Sequence, residues 1–243
     1  MENKGMRLRN YILIGLVIML PVLFSFYSPV LIVWGIEGGV ITASIIIFAA
    51  WFILSLFMGR SVSCGYSCPY GALQEIFGGK VLKKKPKSEA SKIRYLVFGL
   101  FLLIMLYFTL KIGGMKALDL FASNGAYSAS QSLILIPISI MAIALLAMIF
   151  GSRAFCRYLC PQGVFLTIGA RLGKKIRIPS LHLTPTPENC SNCKLCDKSC
   201  PMGLKVNHMV TINAMDNDNC ILCGECIDKC PKDAINYSFH NKN

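Results

Sequence analysis

Two runs near the C-terminus carry four thiols each at a spacing suited to iron and sulfur: Cys190, Cys193, Cys196 and Cys200 before Pro201, then Cys220, Cys223, Cys226 and Cys230 before Pro231. Three thiolates so closely spaced wrap one corner of a cubane. The fourth, set off by three residues and a proline, points toward the neighbouring cluster. Ligation is therefore expected to cross between the runs. Cys190, Cys193, Cys196 and Cys230 would hold one [4Fe-4S] cluster, and Cys220, Cys223, Cys226 and Cys200 the other. Four-cysteine zinc sites or a disulfide framework are the other readings of such thiols. Structural zinc sites generally separate two CxxC knuckles by a long loop, and disulfide scaffolds do not require four cysteines in eleven residues, twice, each run ending in proline.

The other four of the twelve cysteines stand in a second repeat. GRSVSCGYSCPYGALQEIFG from Gly59 and GSRAFCRYLCPQGVFLTIGA from Gly151 match in register, 92 positions apart. Each copy follows two apolar runs, so the repeats are expected to be parallel, related by an axis along the bilayer normal. That symmetry would gather Cys64, Cys68, Cys156 and Cys160 at one membrane surface. Three readings stand for this set. One is a third iron-sulfur centre, since each CxxxCP is the tail of a ferredoxin motif without its first two ligands. Another is a reactive dithiol pair, activated by Arg60, Arg153 or Arg157 and by helix N-termini after Pro69 and Pro161. The last is buried free cysteines at a proline turn.

The elements that must position these thiols are apolar. The chain of 243 residues is 54% hydrophobic, and its mean hydropathy is +0.56. Runs from about Tyr11 to Tyr27, Gly38 to Met58, Tyr95 to Ile112 and Leu133 to Phe150 are each near the length of a spanning helix. The first holds Pro21 and is expected to kink or to extend toward Trp34. Basic residues cluster before the first run (Lys4, Arg7, Arg9), between the second and third (Arg60, Lys80, Lys83, Lys84, Lys85, Lys87, Lys92, Arg94) and after the fourth (Arg153, Arg157, Arg171, Lys174, Lys175, Arg177). The other two loops hold only Lys111 and Lys116. This places both termini and the cysteine-rich end on the cytoplasmic side of an inner membrane.

The expected fold is membrane α-helical: four transmembrane helices in two parallel repeats over residues 1–178, then a small α+β two-cluster ferredoxin-like domain over 179–243. The boundary is set near Pro179, where LHLTPTPEN reads as a linker, and AINYSF as a closing strand. With about sixty residues, that domain has little apolar core and leans on its clusters. After each CxxxCP, the spacings Ala72, Leu73, Ile76, Phe77 and Val164, Phe165, Ile168, Leu172 suggest helices in the headgroup plane. They could roof a quinone site, with Gln74, Glu75 and Gln162 reaching the quinone oxygens, or serve as surface anchors.

The net charge of +13 is accounted for by topology and by attraction to anionic membrane lipid, and no nucleic-acid module accompanies it. No histidine lies in an apolar run and no CxxCH occurs, which excludes bis-histidine haem and covalent haem attachment. His182, His208 and His240 read as surface or structural residues. No Walker or GxGxxG loop is present, and the runs hold no acidic residue to suggest a proton path; Glu37 and Asp119 fall in the outer loops.

Four apolar runs, CxxxCP after the second and fourth, and two terminal CxxCxxCxxxCP motifs together resemble the NapH-type membrane-bound ferredoxin family. The larger NosR-type and the RdxA/CcoG-type proteins have a similar core. The resemblance covers nearly the whole chain. It implies electron transfer between the quinone pool and a partner redox protein or reductase subunit, with the CxxxCP cysteines needed for redox function. That is a quinol dehydrogenase-like component rather than an enzyme with its own terminal substrate. A protein of another class, one that assembles metals or senses redox state through its CxxxCP thiols, is the alternative.

Overall fold

The computed structural model describes residues 4–27, 32, 40–41, 43–81, 86, 93–112, 117–118 and 129–240. Trp34, Glu37, Lys83, Lys84, Lys85, Lys87, Lys92, Lys116 and Asp119 lie outside the described residues.

The first apolar run forms α1 (Lys4–Ile18) and α2 (Leu20–Tyr27), broken at Met19. Pro21 explains the break, because it has no N–H to donate and its ring crowds the carbonyl four residues back. The remaining runs form α3 (Ala43–Met58), α5 (Ile93–Ile112) and α6 (Ala129–Phe150), while α4 (Pro69–Gln74) follows the first CxxxCP. A two-residue parallel pairing joins β1 (Val40–Ile41) to β2 (Ala117–Leu118). Among the described residues, only Ile93–Lys111 is by itself long and apolar enough to cross a membrane. Helix α3 counts as a second only if joined to the turn after it, which departs at 109°, and α6 contributes the shorter stretch Pro137–Phe150. One or two of the four expected spans therefore meet that test. The apolar faces nevertheless point outward: Leu96 is 77% exposed, Leu103 65%, Leu110 73% and Ile53 58%.

Both repeats end their apolar helix in the same way. Gly59 and Gly151 adopt left-handed φ of 57° and 103°, and their amides close the last turns onto Ser55 and Ala147. The chain then turns, through a π-helical segment at Ser61–Ser67 in the first repeat and α7 (Ala154–Tyr158) in the second. Helix α4 and its counterpart α8 (Pro161–Lys175) come next, each with proline at its first position.

These two helices depart from the expected pair of headgroup-plane helices. All six residues of α4 are buried, wedged against α1, α2 and α6, with Tyr70 and Leu73 packed on Leu20 and Ile143. The apolar periodicity there serves a core. In α8 the pattern splits: Ile168 and Leu172 are exposed, while Gly169 and Gly173 press against α3. A Cβ at Gly173 would stand 2.3 Å from the Leu56 carbonyl oxygen, so only glycine permits this approach.

The C-terminal part is closed by an antiparallel pair, β3 (Ser180–Pro185) with β4 (Ile235–His240), in register from Ser180↔His240 to Pro185↔Ile235. AINYSF is thus a strand. The stretch read as a linker is its partner instead, because alternating Leu181, His182, Leu183 and Thr184 suit a half-buried strand and Leu183 enters the core. Short helices α9 (Leu195–Ser199), α10 (Val206–Thr211) and α11 (Glu225–Asp228) lie between the strands. Met202, Val210, Ile221 and Ile235 form a small core whose other members include Cys196, Cys200, Cys223 and Cys226.

Candidate functional site: thiol sets divided by a layer of arginines

The two CxxxCP motifs put their second cysteine at the same place. Cys68 and Cys160 are the residues before α4 and α8, extended at ψ 112° and 111°, and the next residue, proline, starts the helix. The glycine two residues beyond that proline has a role across the repeat. Gly71 lies under the Arg153 guanidinium, and Gly163 under that of Arg60; an added Cβ would come to 2.7 and 3.0 Å of them. Each repeat thus extends an arginine over the other's helix start. The exchange draws the cysteines together: Cys68 lies within electrostatic reach of Cys156, Cys64 and Cys160, and Cys160 within reach of Cys156 and Cys64.

All twelve cysteines are free thiols, and burial dominates the chemistry of this set. It pushes Cys160 up to about 12 and Cys68 well above the ordinary thiol range. It also raises Cys156, although Arg153, Arg60 and a hydrogen bond from Gln74 Nε2 at 3.4 Å pull the other way. As bare thiols these groups are held protonated, the opposite of an activated dithiol.

Arg9, Arg60 and Arg153 border this set, while Arg94 and Arg157 lie toward the ferredoxin module; none of the five is more than 3% exposed. Two carboxylates answer them. Glu75 takes Arg9 at 2.8 Å and Arg153 at 2.7 Å, and Glu225 takes the other arm of Arg9 at 2.8 Å. Arg60 spends its two ends on Cys64 Sγ at 3.6 Å and the Asp218 carbonyl at 3.0 Å. Arg94 reaches Asn219 and Tyr95, and Arg157 reaches the Met202 carbonyl. Among the described residues, Nε of Arg60, Arg94 and Arg157 has no partner. Buried cations in excess of buried carboxylates require an anion, since an uncompensated charge in a dry site costs several kcal/mol. Neutral thiols do not supply it. Four thiolates around an iron-sulfur cluster do, so the residues fit that group.

Beyond the arginines lies the second ferredoxin run. Cys200, Cys220, Cys223 and Cys226 share a cavity walled by Leu183, Met202, Ile221 and Met215. Burial pushes Cys223 up to about 12 and Cys220 up to about 11, with Arg9 opposing at the first and Arg60 at the second. In each run the residues two and four positions after the first cysteine are left-handed: Asn192 and Lys194, Leu222 and Gly224. That shared backbone bends both loops alike. Of the other set, Cys196 is buried with Cys190 in reach, Cys230 accepts the Ala234 amide at 3.3 Å, and Cys193 is exposed. Among the described residues no three His, Cys, Asp or Glu side chains converge on a point the size of a single ion. Cys200, Cys220, Cys223 and Cys226 stand instead around a cavity wall.

Two of the three residues read as quinone contacts are otherwise engaged. Gln74 is fully buried, donating to Tyr70 and Cys156 and accepting from the Phe155 amide at 2.9 Å; Glu75 is held by arginines. Gln162 is buried at the start of α8. His182 is buried with Nδ1 2.8 Å from the Ser180 carbonyl, and His208 is exposed. Sequence reasoning assigned Arg9 to topology and missed Glu225 as its partner; the available signal was a Glu beside a cluster cysteine and an Arg at the threshold of an apolar run.

A family model described as a 4Fe-4S binding domain matches residues 40–88 and again 133–179, the two CxxxCP repeats. A 4Fe-4S dicluster domain matches 189–235. The chain is 32% identical over 198 residues to the uncharacterized protein MJ0750 of Methanocaldococcus jannaschii, covering 77% of this chain and 75% of that one. It is 27% identical to the putative electron transport protein YccM of Escherichia coli, over 78% of this chain and 54% of YccM. With the ferredoxin-type protein NapH of Haemophilus influenzae the identity is 26%, over 74% and 63%. No solved structure matches the chain.

Proposed function

From the premise that this chain belongs to the NapH-type family of 4Fe-4S ferredoxin proteins, and so transfers electrons on iron-sulfur centres, we propose that it joins the membrane quinone pool to a partner redox protein. The observation that carries the reading is the gathering of Cys64, Cys68, Cys156 and Cys160 beneath apolar helices, with the Cys200, Cys220, Cys223 and Cys226 cavity docked on the same arginine layer. The CxxxCP thiols hold a third iron-sulfur centre, and the crossed sets hold the other two. When bound, such clusters supply one-electron relay sites.

The chain supplies everything else. Arginines offset the negative charge of the thiolate sets, and the buried walls exclude water from both. Outward apolar faces on α1, α3, α5 and α6 anchor the helical part in lipid as four spans, with the basic loops and the ferredoxin module at the cytoplasmic face. Exposed Cys193 brings the Cys190, Cys193, Cys196 and Cys230 set within reach of a soluble partner.

Two measurements test this. Anaerobically purified protein in detergent should lose its visible absorption on addition of a quinol; retention of the full band would contradict the quinone link. Replacing Cys64 and Cys156 by alanine should remove about a third of the iron and acid-labile sulfide, as one cluster in three requires. Unchanged iron would leave the CxxxCP set without a cluster.

A further inference from the structure

We propose that Arg60 is a positioning residue shared by two redox sites, a single buried positive charge that raises the reduction potentials of both the CxxxCP thiol set and the Cys200/Cys220/Cys223/Cys226 set. The inference rests on the reading above, that both sets carry clusters, and adds what sets their potentials.

Its geometry separates Arg60 from the other buried arginines, of which Arg94 and Arg157 also lack a carboxylate partner among the described residues but reach no CxxxCP thiol. Arg9 and Arg153 are neutralised by Glu75 and Glu225. Arg60, 3% exposed, has no carboxylate paired with it among the described residues. One arm, Nη2, donates to Cys64 Sγ at 3.6 Å and lies over Gly163, three residues past Cys160. The other arm, Nη1, donates to the Asp218 carbonyl at 3.0 Å, two residues ahead of Cys220, and Arg60 and Cys220 line one cavity. The thiols of Cys156 and Cys160 also lie within range of its charge, as does that of Cys220. The planar fork makes this reach possible, because two arms on one delocalised cation serve two sites; a lysine presents a point charge to one.

The consequence follows from elementary electrostatics. Reduction adds one negative charge to a site, and a fixed cation in a dry interior favours the more negative form. One cation between two sites raises both potentials, more at the site it touches directly.

The test uses the full-length protein in detergent, titrated anaerobically with dithionite as the electron donor and followed by EPR. Arg60→Gln should move the midpoint potentials of both centres downward. Arg60→Lys should keep most of the shift at one centre and lose it at the other. Arg171→Gln is the control: Arg171 is exposed and grips the Asp218 carboxylate, so its loss loosens the same loop while removing only a charge that water already screens. Unmoved potentials in Arg60→Gln, a shift in one centre alone, or an equal shift in Arg171→Gln would each overturn the proposal. Iron content of the unmutated protein is read separately. Eight irons per chain in place of about twelve would sink the third centre itself, whatever the variants do. If Arg60→Gln does not fold, the split between centres in Arg60→Lys decides.

Discussion

Glu75 ties the N-terminal helix to the second repeat. It sits directly after α4, 4% exposed, with Arg9 of the N-terminal helix on one side and Arg153 of the second repeat on the other. Burial alone would push its carboxyl up, yet the charges of Arg153 and Arg9 outweigh burial and hold it below the usual carboxylate range. Glu75→Gln leaves two guanidiniums facing each other in a dry site, and stability should fall by about 3–5 kcal/mol, measured by denaturant unfolding in detergent. The acid dependence has a definite sign. A carboxyl whose folded value is depressed contributes stability above its unfolded value, about 4.3, and loses it as pH falls through the lower folded one. The gap between wild type and Glu75→Gln should therefore be full at neutral pH and narrow below about pH 4. A gap that stays constant down to pH 3 would show that the pair carries no such charge.

At the scale of elements, the contact that sets the geometry is α8 across α3. Small residues bring the two backbones together: a Cβ on Gly169 would approach the Ser55 hydroxyl oxygen to 2.0 Å, and one on Gly173 the Leu56 carbonyl oxygen to 2.3 Å. The first neighbour is a side-chain hydroxyl that can rotate away; the second is backbone. Gly173→Val should accordingly force α8 off α3 and cost at least about 2 kcal/mol, within the range for overpacked cores. Gly169→Ala should cost less. Because Cys160 immediately precedes α8, the same displacement would misplace one corner of the CxxxCP set, and iron at that site should fall with stability. Equal thermal stability of Gly173→Val and wild type would count against this packing. Helix α4 was harder to read, since a short apolar run beside charge has the same pattern whether it lies on a membrane surface or inside a core. Only the presence of α1, α2 and α6 around it resolves the question.

Over the whole molecule, stability is unevenly distributed. The ferredoxin module has one small core, and thiols are among its buried members. Its loops hold left-handed non-glycine residues at Asn192, Lys194 and Leu222, each of which costs free energy unless the surroundings enforce it. Anaerobic removal of iron should melt residues 180–240 selectively. Limited proteolysis should then cut at exposed Lys194, Lys198 or Lys229 while α5 stays intact. Undiminished protection after chelation would show that the aliphatic core suffices alone.

Sequence by itself determined the chemistry: cysteines at ferredoxin spacing, two CxxxCP copies in register, apolar runs between basic loops, and a closing strand at AINYSF. Those features are local, carried by residues within about twenty positions of one another or by a repeat in register. The tertiary structure decided the surroundings. It turned a supposed linker into strand β3, buried Gln74 and Glu75 among partners of their own, and set Arg60 within reach of both thiol sets. Pairings such as Arg9 with Glu225 join positions 216 apart, and a buried charge is recognised only by what surrounds it in space. Spacing along a chain therefore specifies ligands, while the field those ligands feel is a property of the fold.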